Sequence, residues 1–262
     1  NSGENVLLCD CRFDLVDPLI GRKSYEESHI PGAIYVDLDK DLSGEKTGAN
    51  GRHPLPSPEA WAKTKARLGI NPNTLVVAYD KQGSVYASRL WWMLKSTGHA
   101  NVRVLDGGLD AWNGPMGSIP RAPTPCNQPI APMPYAGLVL VDEVVANLET
   151  KKNKIIDARG EDRFRGQNET LDPVGGHIPG AMNRFFKNNL NATAFKTPEQ
   201  LFKEFSESLG TTKASEVIHQ CGSGVTACHN LLAMELAGFK GSRLYAGSWS
   251  EWCADPKRPV EL

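Results

Sequence analysis

The stretch VIHQCGSGVTACHNLL, residues 217–232, decides how this chain is interpreted. A short run that suits a buried strand leads directly into Cys221, two glycines follow on either side of a serine, and a helical pattern begins near Val225. A cysteine between a strand and a helix stands where α/β proteins place their functional loops. The rest of the sequence indicates which fold carries this loop.

The composition is ordinary for a globular protein. The 262 residues are 40% hydrophobic and 23% charged, with a formal net charge of −1. This balance gives no reason to expect nucleic acid as a partner, and no apolar run approaches the length of a membrane-spanning helix, so no membrane partner is expected. Six cysteines without a CxxC pair predict free thiols and no metal site, and free thiols predict a cytoplasmic location. The chain starts without methionine, which leaves room for a removed leader.

The sequence repeats itself. Landmarks that occur in the same order in both halves indicate a tandem duplication. The paired landmarks are CDCR at 9–12 with IDAR at 156–159, HIPGA at 29–33 and 177–181, Asp80 with Cys221, and Trp112 with Trp252. Because HIPGA also occurs in the half without the cysteine loop, His29 and His177 are predicted to be structural.

A proline-rich segment separates the two halves. Residues 113–134 hold seven of the 18 prolines, and proline at this density continues neither a helix nor a sheet ladder. We therefore predict a first domain at residues 1–112, a linker at 113–134 and a second domain at 135–262.

Short apolar runs alternate with helical patterns in the second half. DEVVANLE at 142–149 predicts a helix opened by an aspartate cap, and TPEQLFKEFSESLG at 197–210 predicts one with a threonine cap, an early proline and a final glycine. EVIHQ at 216–220 and SRLYA at 242–246 predict strands. This alternation predicts an α/β fold in which each domain is a mostly parallel sheet flanked by helices.

The loop after Cys221 is suited to an anion centred on sulfur. Glycines permit tight curling of the backbone, the resulting concavity favours an anion, and the helix N-terminus adds partial positive charge, so the thiolate is favoured as a nucleophile. The predicted amide donors are those of Gly222, Ser223, Gly224, Val225 and Thr226. A core cysteine beside a glycine turn is the alternative. A cysteine phosphatase is disfavoured, because its C-x5-R pattern requires arginine where this chain has Ala227.

Two tandem α/β domains, an HIPGA landmark in each and one cysteine loop resemble the rhodanese-type sulfurtransferases, and the resemblance runs from DCR to GSWSEW. The loop CGSGVTA is similar to that of the members that use 3-mercaptopyruvate, whereas thiosulfate-preferring members typically carry CRKGVTA. The resemblance implies two tandem rhodanese-like domains, the first catalytically silent because Asp80 replaces the cysteine. It also implies transfer of sulfur from 3-mercaptopyruvate through a Cys221 persulfide, with release of pyruvate and no metal or organic cofactor. The implied acceptor is cyanide, a small thiol or thioredoxin.

The resemblance also implies roles for residues outside the loop. Arg163 in EDRFRGQ matches the arginine that binds the donor carboxylate, and guanidinium suits that task. Asp172 stands where a second arginine is expected, so Arg165 or another group would have to replace it.

An aspartate and a histidine are expected to assist the loop serine. Asp39 in VDLDKD and His53 in GRHPLP match this pair, with Asp39 orienting His53 and His53 acting through Ser223 to deliver a proton. A loop cap is the alternative role of His53, and Arg52 is a further candidate for steering anions.

Three hypotheses about function follow. The first is a 3-mercaptopyruvate sulfurtransferase, and the second is a thiosulfate:cyanide sulfurtransferase. The third is a persulfide carrier or sensor without turnover, which is disfavoured because the candidates for carboxylate binding and proton delivery are all present in the chain.

Overall fold

The computed structural model describes residues 5–262, so the first four residues of the predicted first domain lie outside the described residues. The chain forms two compact units. The first comprises residues 5–44, Leu55–Ala136 and Ala192–Ala194, and the second comprises Glu45–Pro54, Gly137–Asn191 and Phe195–Leu262. Both units are α/β, which confirms the predicted fold class. The boundaries at 112 and 135 stay predictions: the segment 113–134 clusters with the first unit, and residues 45–54 cluster with the second.

The first unit is built on a parallel sheet of four strands. The strands are β1 (Asn5–Asp10), β2 (Ile34–Tyr35), β3 (Thr74–Tyr79) and β4 (Val102–Val104), in the spatial order β2–β1–β3–β4. The helices are α1 (Leu19–Glu27), α2 (Pro58–Leu68) and α3 (Val85–Ser96), followed by a 3-10 turn at Gly108–Ala111. A parallel sheet brings the carboxyl ends of its strands to one edge, and Asp80 directly follows β3 at that edge.

The second unit is built on a parallel sheet of five strands. The strands of this part of the chain are β5 (Leu138–Val139), β6 (Lys154–Asp157), β7 (Met182–Asn183), β8 (Leu190–Asn191), β9 (Ala194–Phe195), β10 (Val217–Gln220) and β11 (Arg243–Tyr245). The sheet has the order β5–β11–β10–β6–β7, so β10 is its central strand. The helices are α4 (Val141–Thr150), α5 (Glu161–Phe164), α6 (Pro198–Leu209), α7 (Thr226–Leu236) and α8 (Ser248–Trp252), with 3-10 turns at Phe186–Asn189 and Ala214–Glu216.

Helix ends follow the sequence signals in one case and differ in another. The Thr197 hydroxyl accepts the Gln200 N–H at 3.3 Å and the Gln200 side chain accepts the Thr197 N–H at 3.0 Å, so the predicted cap of α6 is confirmed. The predicted aspartate cap of α4 is wrong: the cap position is Leu140, and Asp142 lies in the first turn, where it favours the helix dipole. None of the helices between residues 5 and 262 has the length and apolar character needed to span a membrane.

The central strand β10 is packed on both faces. Ile218 lies in a buried cluster with Trp249 and Trp252 on one face, and Val217 lies in a second cluster with Phe205 on the other. This is the alternation expected of a strand covered on both sides. Burial of each such large apolar side chain contributes about 1.5–3 kcal/mol. Cys221 therefore directly follows the carboxyl end of a strand that is packed on both faces.

The repeated HIPGA motif pairs with a later segment of its own unit. The His29 N–H donates to the Gly117 carbonyl at 2.8 Å, and the His29 carbonyl accepts the Gly117 N–H at 2.9 Å. His177 exchanges the same pair of bonds with Glu261, at 2.8 and 3.0 Å. In both repeats the histidine thus forms a short antiparallel bridge through its backbone, and its ring Nδ1 contacts a backbone carbonyl, that of Tyr25 for His29 and that of Phe164 for His177.

Candidate active site

Cys221 lies between β10 and α7, with 2% of its surface exposed. Its Sγ accepts the Gly224 N–H at 3.1 Å. Gly224 has a left-handed φ of +77°, and a Cβ atom on it would lie 2.3 Å from the Ala246 carbonyl oxygen. Only glycine fits this position, and it turns an amide toward the sulfur.

The loop is held from behind by the segment that enters α8. The Cys221 N–H donates to Ser248 Oγ at 3.1 Å, and that hydroxyl donates to the Tyr245 carbonyl at 2.9 Å. The Cys221 carbonyl accepts the Trp249 N–H at 3.0 Å. Both backbone groups of the cysteine are therefore fixed by hydrogen bonds.

Ser248 was not among the residues predicted from the sequence, although the repeat contains a signal. Ser248 has φ +56°, a left-handed conformation that costs a non-glycine residue about 1–2 kcal/mol. Gly108, its counterpart in GGLDAW of the first half, has φ +55°. Serine replaces the easier glycine in the half that carries the cysteine, and there its hydroxyl binds Cys221.

A serine–histidine pair lies beside the cysteine. His53 Nδ1 is 2.8 Å from Ser223 Oγ, and both residues are 6% exposed. His53 belongs to residues 45–54 and so to the second unit. Asp39 belongs to the first unit, where its N–H donates to Asp37 Oδ1 at 2.9 Å. The structure brings Ser223 and His53 together as expected, and the orienting role of Asp39 stays a prediction.

Two guanidinium groups lie next to the loop at Gly222. A Cβ atom on Gly222 would lie 2.8 Å from Arg52 Nη2 and 3.5 Å from Arg163 Nη2. Arg163 donates to both oxygens of Glu169, at 3.0 Å from Nε and 2.9 Å from Nη2, and also to Asp172 Oδ2 at 3.3 Å. Arg52 forms an ion pair with the other oxygen of Asp172. The predicted carboxylate-binding residue Arg163 is thus close to the loop, and Arg52 is beside it.

Arg165, the first suggested replacement for a second arginine, lies elsewhere. Its side chain is 62% exposed and pairs with Glu161 Oε1 at 2.5 Å along the helical surface. Burial raises the pKa of Asp172. Burial also acts to raise the pKa of Glu169, but hydrogen bonds from Arg163 and from backbone N–H groups lower it overall. Because the Arg165 side chain is exposed and pairs with Glu161, the second guanidinium beside Gly222 is that of Arg52.

The corresponding loop of the first unit surrounds the side-chain carboxyl of Asp80. Asp80 Oδ1 accepts the N–H groups of Gln82 and Ser84 at 2.9 and 2.8 Å. Asp80 Oδ2 accepts those of Tyr86 and Ala87 at 2.8 and 3.0 Å. Burial raises the pKa of the Asp80 carboxyl, and the four N–H donors oppose this effect. The repeated loop is thus a cradle of amides in which a side-chain anion fits.

A histidine near the cysteine serves the core. His219 Nε2 is 3.0 Å from Met234 Sδ, and burial lowers the pKa of His219 to about 3. Among residues 5–262, no group of three or more His, Cys, Asp or Glu side chains is arranged to hold a metal ion.

A thiol at the carboxyl end of a parallel strand, hydrogen-bonded to the Gly224 N–H and two residues from a serine that contacts a histidine, is an arrangement suited to nucleophilic chemistry in an α/β fold. A family model, the rhodanese-like domain, matches residues 1–115 and 140–255. The chain therefore belongs to the rhodanese-like family, and it is a sulfurtransferase that uses a small-molecule sulfur donor and acceptor.

Individual relatives carry two kinds of name. A probable 3-mercaptopyruvate sulfurtransferase of Pseudomonas aeruginosa is 44% identical over 99% of this chain and 93% of its own length. A putative thiosulfate sulfurtransferase of Mycobacterium tuberculosis is 35% identical over 99% of this chain and 92% of its own. The solved structure of 3-mercaptopyruvate sulfurtransferase from Leishmania major is 30% identical, covers 98% of this chain and 72% of its own, and has a TM-score of 0.82.

Proposed function

We propose that this enzyme transfers sulfur from 3-mercaptopyruvate to a thiophilic acceptor through a persulfide on Cys221, releasing pyruvate. One observation carries the proposal: the His53–Ser223 pair, at 2.8 Å, lies two residues from the cysteine in a loop without charged side chains. A proton-delivering pair is needed when the leaving group is a carbon that must be protonated. Sulfite, which leaves when thiosulfate is the donor, has no such need.

In the first step the Cys221 thiolate attacks the sulfur of the donor thiol. A sulfur–sulfur bond forms, the carbon–sulfur bond breaks, and its electron pair leaves with carbon as the enolate of pyruvate. Arg163 binds the donor carboxylate, and Ser223 with His53 supplies the proton that converts the enolate to pyruvate. The cysteine sulfur is oxidised to persulfide and the donor carbon is reduced, so no outside oxidant is needed.

The persulfide is stabilised by the amides of the loop. In the repeated loop of the first unit, Asp80 accepts four N–H groups. When Asp80 is aligned with Cys221, three of these four donor residues correspond to Ser223, Val225 and Ala227 of the second unit. Together with the Gly224 N–H on Sγ, they offer the outer sulfur an environment that favours negative charge.

In the second step an acceptor attacks the outer sulfur, the sulfur–sulfur bond breaks, and the Cys221 thiolate is restored. Cyanide, a small thiol and a dithiol protein such as thioredoxin are the acceptors that we propose. Free thiols at all six cysteines fit a reducing compartment, and we propose the cytoplasm.

Thiosulfate is the second candidate donor. The observation that favours it is the presence of two guanidinium groups, Arg52 and Arg163, beside Gly222, since two cations suit a dianion. A persulfide carrier without turnover is the third hypothesis, and it predicts sulfur uptake with no pyruvate release.

The test measures kcat/KM for both donors with cyanide as the acceptor. Mass spectrometry is also carried out on the enzyme after incubation with a donor in the absence of an acceptor. We expect a preference of about tenfold or more for 3-mercaptopyruvate, about 1.4 kcal/mol in transition-state binding, and a gain of one sulfur atom on Cys221. Cys221→Ser should abolish both signals, and Cys126→Ser, in the segment 113–134, is the matched control. Preference for thiosulfate would overturn the donor assignment, and transfer by Cys221→Ser would overturn the persulfide.

A further inference from the structure

We propose that Asp172 sets the donor preference of the enzyme, by holding Arg52 and Arg163 together beside Gly222 and cancelling one of their two positive charges. The inference rests on the proposed function, because it concerns how the same site distinguishes a monoanionic donor from a dianionic one. Asp172 acts through the two arginines and is therefore a positioning residue.

The geometry shows a carboxylate shared by two cations. One oxygen of Asp172 pairs with Arg52, and the other accepts from Arg163 Nη2 at 3.3 Å. The Asp172 side chain is 3% exposed, and its own N–H donates to Glu169 Oε1 at 3.1 Å. Arg52 comes from residues 45–54 and Arg163 from α5, so Asp172 joins two distant parts of the sequence. Its carboxylate fixes where both guanidinium groups lie relative to the loop.

The charges of this cluster cancel. Arg52 and Arg163 contribute two positive charges, and Glu169 and Asp172 contribute two negative ones. A donor carboxylate can still be recognised by N–H groups of the guanidinium edges, since this requires hydrogen bonds in the right direction. A second negative charge on the donor gains little electrostatic stabilisation, because the net field of the cluster is small. The free energy needed to remove that second charge from water is then not compensated.

Asp172 is better placed for this role than the neighbouring carboxylate. Glu169 bonds Arg163 at 2.9 Å and lies 3.6 Å from Arg159 Nη1, so it also belongs to the buried pair of Arg159 with Asp157. Asp172 contacts both of the arginines that lie at Gly222. Removing its charge therefore changes the field at the loop while the Glu169 bonds stay in place.

The experiment compares two variants of Asp172 with a surface control. Asp172→Asn removes the charge and keeps a side-chain oxygen that accepts from Arg52, and Asp172→Ala removes both. Glu161→Gln removes one negative charge from the exposed pair with Arg165. For each protein, kcat and KM are measured with 3-mercaptopyruvate and with thiosulfate, at fixed cyanide and ionic strength.

We expect Asp172→Asn to raise the ratio of kcat/KM for thiosulfate over 3-mercaptopyruvate by about threefold or more, mainly through the KM of thiosulfate. Asp172→Ala should raise KM for both donors, because the arginines are no longer held together. Glu161→Gln should leave the ratio unchanged. A purely structural role of Asp172 would lower kcat for both donors equally in both variants, and that result would overturn the inference.

Failure of this inference is separable from failure of the proposed function. If the wild type prefers thiosulfate, the donor assignment is wrong, but the direction in which Asp172→Asn moves the ratio still decides the role of Asp172. An unchanged ratio, or one that moves toward 3-mercaptopyruvate, overturns it. Thermal unfolding checks that the variant folds, and Asp172→Ser provides the same charge test if Asp172→Asn does not.

Discussion

Ser248 provides a test that separates the stability of the catalytic loop from its activity. Its hydroxyl accepts the Cys221 N–H at 3.1 Å and donates to the Tyr245 carbonyl at 2.9 Å, and the residue is fully buried. It holds these bonds at φ +56°, where glycine would be easier. Ser248→Ala removes the hydroxyl and keeps the unfavourable backbone conformation. Ser248→Gly removes the hydroxyl and also relieves that conformation.

The expected magnitudes follow from these two contributions. Loss of the hydroxyl leaves the buried Cys221 N–H without its acceptor, which costs about 1–3 kcal/mol. The left-handed conformation costs a non-glycine residue about 1–2 kcal/mol, and glycine is relieved of most of it. We therefore expect Ser248→Ala to destabilise the second unit by about 1–3 kcal/mol and Ser248→Gly to be about 1 kcal/mol more stable than the alanine variant. Both should lose turnover to the same extent, roughly tenfold, because neither provides an acceptor for the Cys221 N–H.

Hydrogen exchange of the β10 amides measures the local free energy of unfolding, and single-turnover pyruvate release measures the first chemical step. Ser208→Ala is a control, because Ser208 lies in helix α6 and its hydroxyl donates to the Glu204 carbonyl of the same helix. Wild-type turnover in Ser248→Gly would refute the role of the hydroxyl. An alanine variant more stable than the glycine variant would refute the account of the backbone.

Three further predictions concern other parts of the chain. Arg163→Ala should raise KM for 3-mercaptopyruvate about 10- to 100-fold, since hydrogen bonds to charged groups contribute about 1.5–3 kcal/mol, whereas Arg165→Ala should leave it unchanged; steady-state kinetics decide this. His53→Gln should lower kcat about 10²- to 10⁴-fold with little change in KM, because glutamine can bond Ser223 without delivering a proton, and pyruvate release in a single turnover measures it. Asp80→Asn should destabilise the first unit by about 2–4 kcal/mol, because an amide NH₂ would face N–H donors, and urea unfolding checks this; unchanged stability would contradict the account of the Asp80 cradle.

Much of the fold could be predicted because its signals are local. Thr197, Pro198 and Gly210 lie at the positions where α6 begins and ends, and each acts within one turn of the helix. Strand β10, the loop that begins at Cys221 and helix α7 follow one another directly in the sequence. The loop between β10 and α7 could therefore be predicted from the sequence. The predicted aspartate cap of α4 was wrong by two residues: the helix has Leu140, and not Asp142, at the cap position.

The cluster of Arg52, Arg163 and Asp172 could be predicted only in part, because its contacts join distant segments. Arg52 and Asp172 are far apart in sequence, and nothing near either residue indicates the other. The resemblance implied that Asp172 stands where a second arginine is expected and that Arg165 or another group replaces it, and Arg52 was a further candidate for steering anions. Only the folding of residues 45–54 with the second unit shows that the second guanidinium comes from Arg52.

The duplication supplies the remaining information, because the two halves share a backbone plan and differ where their chemistry differs. At the end of the central strand, the first half has Asp80, whose carboxylate fills the amide cradle by itself, and the second has Cys221, whose sulfur takes one N–H. Behind the loop, the first half has Gly108 in its relaxed left-handed conformation, and the second has Ser248 in the same conformation at a cost. In the first half, the Asp80 carboxyl occupies the loop, and Gly108 stands where the second half has the serine. In the mechanism that we propose, the Ser248 hydroxyl holds the Cys221 backbone in place while the charge on the sulfur is gained and lost in each turnover.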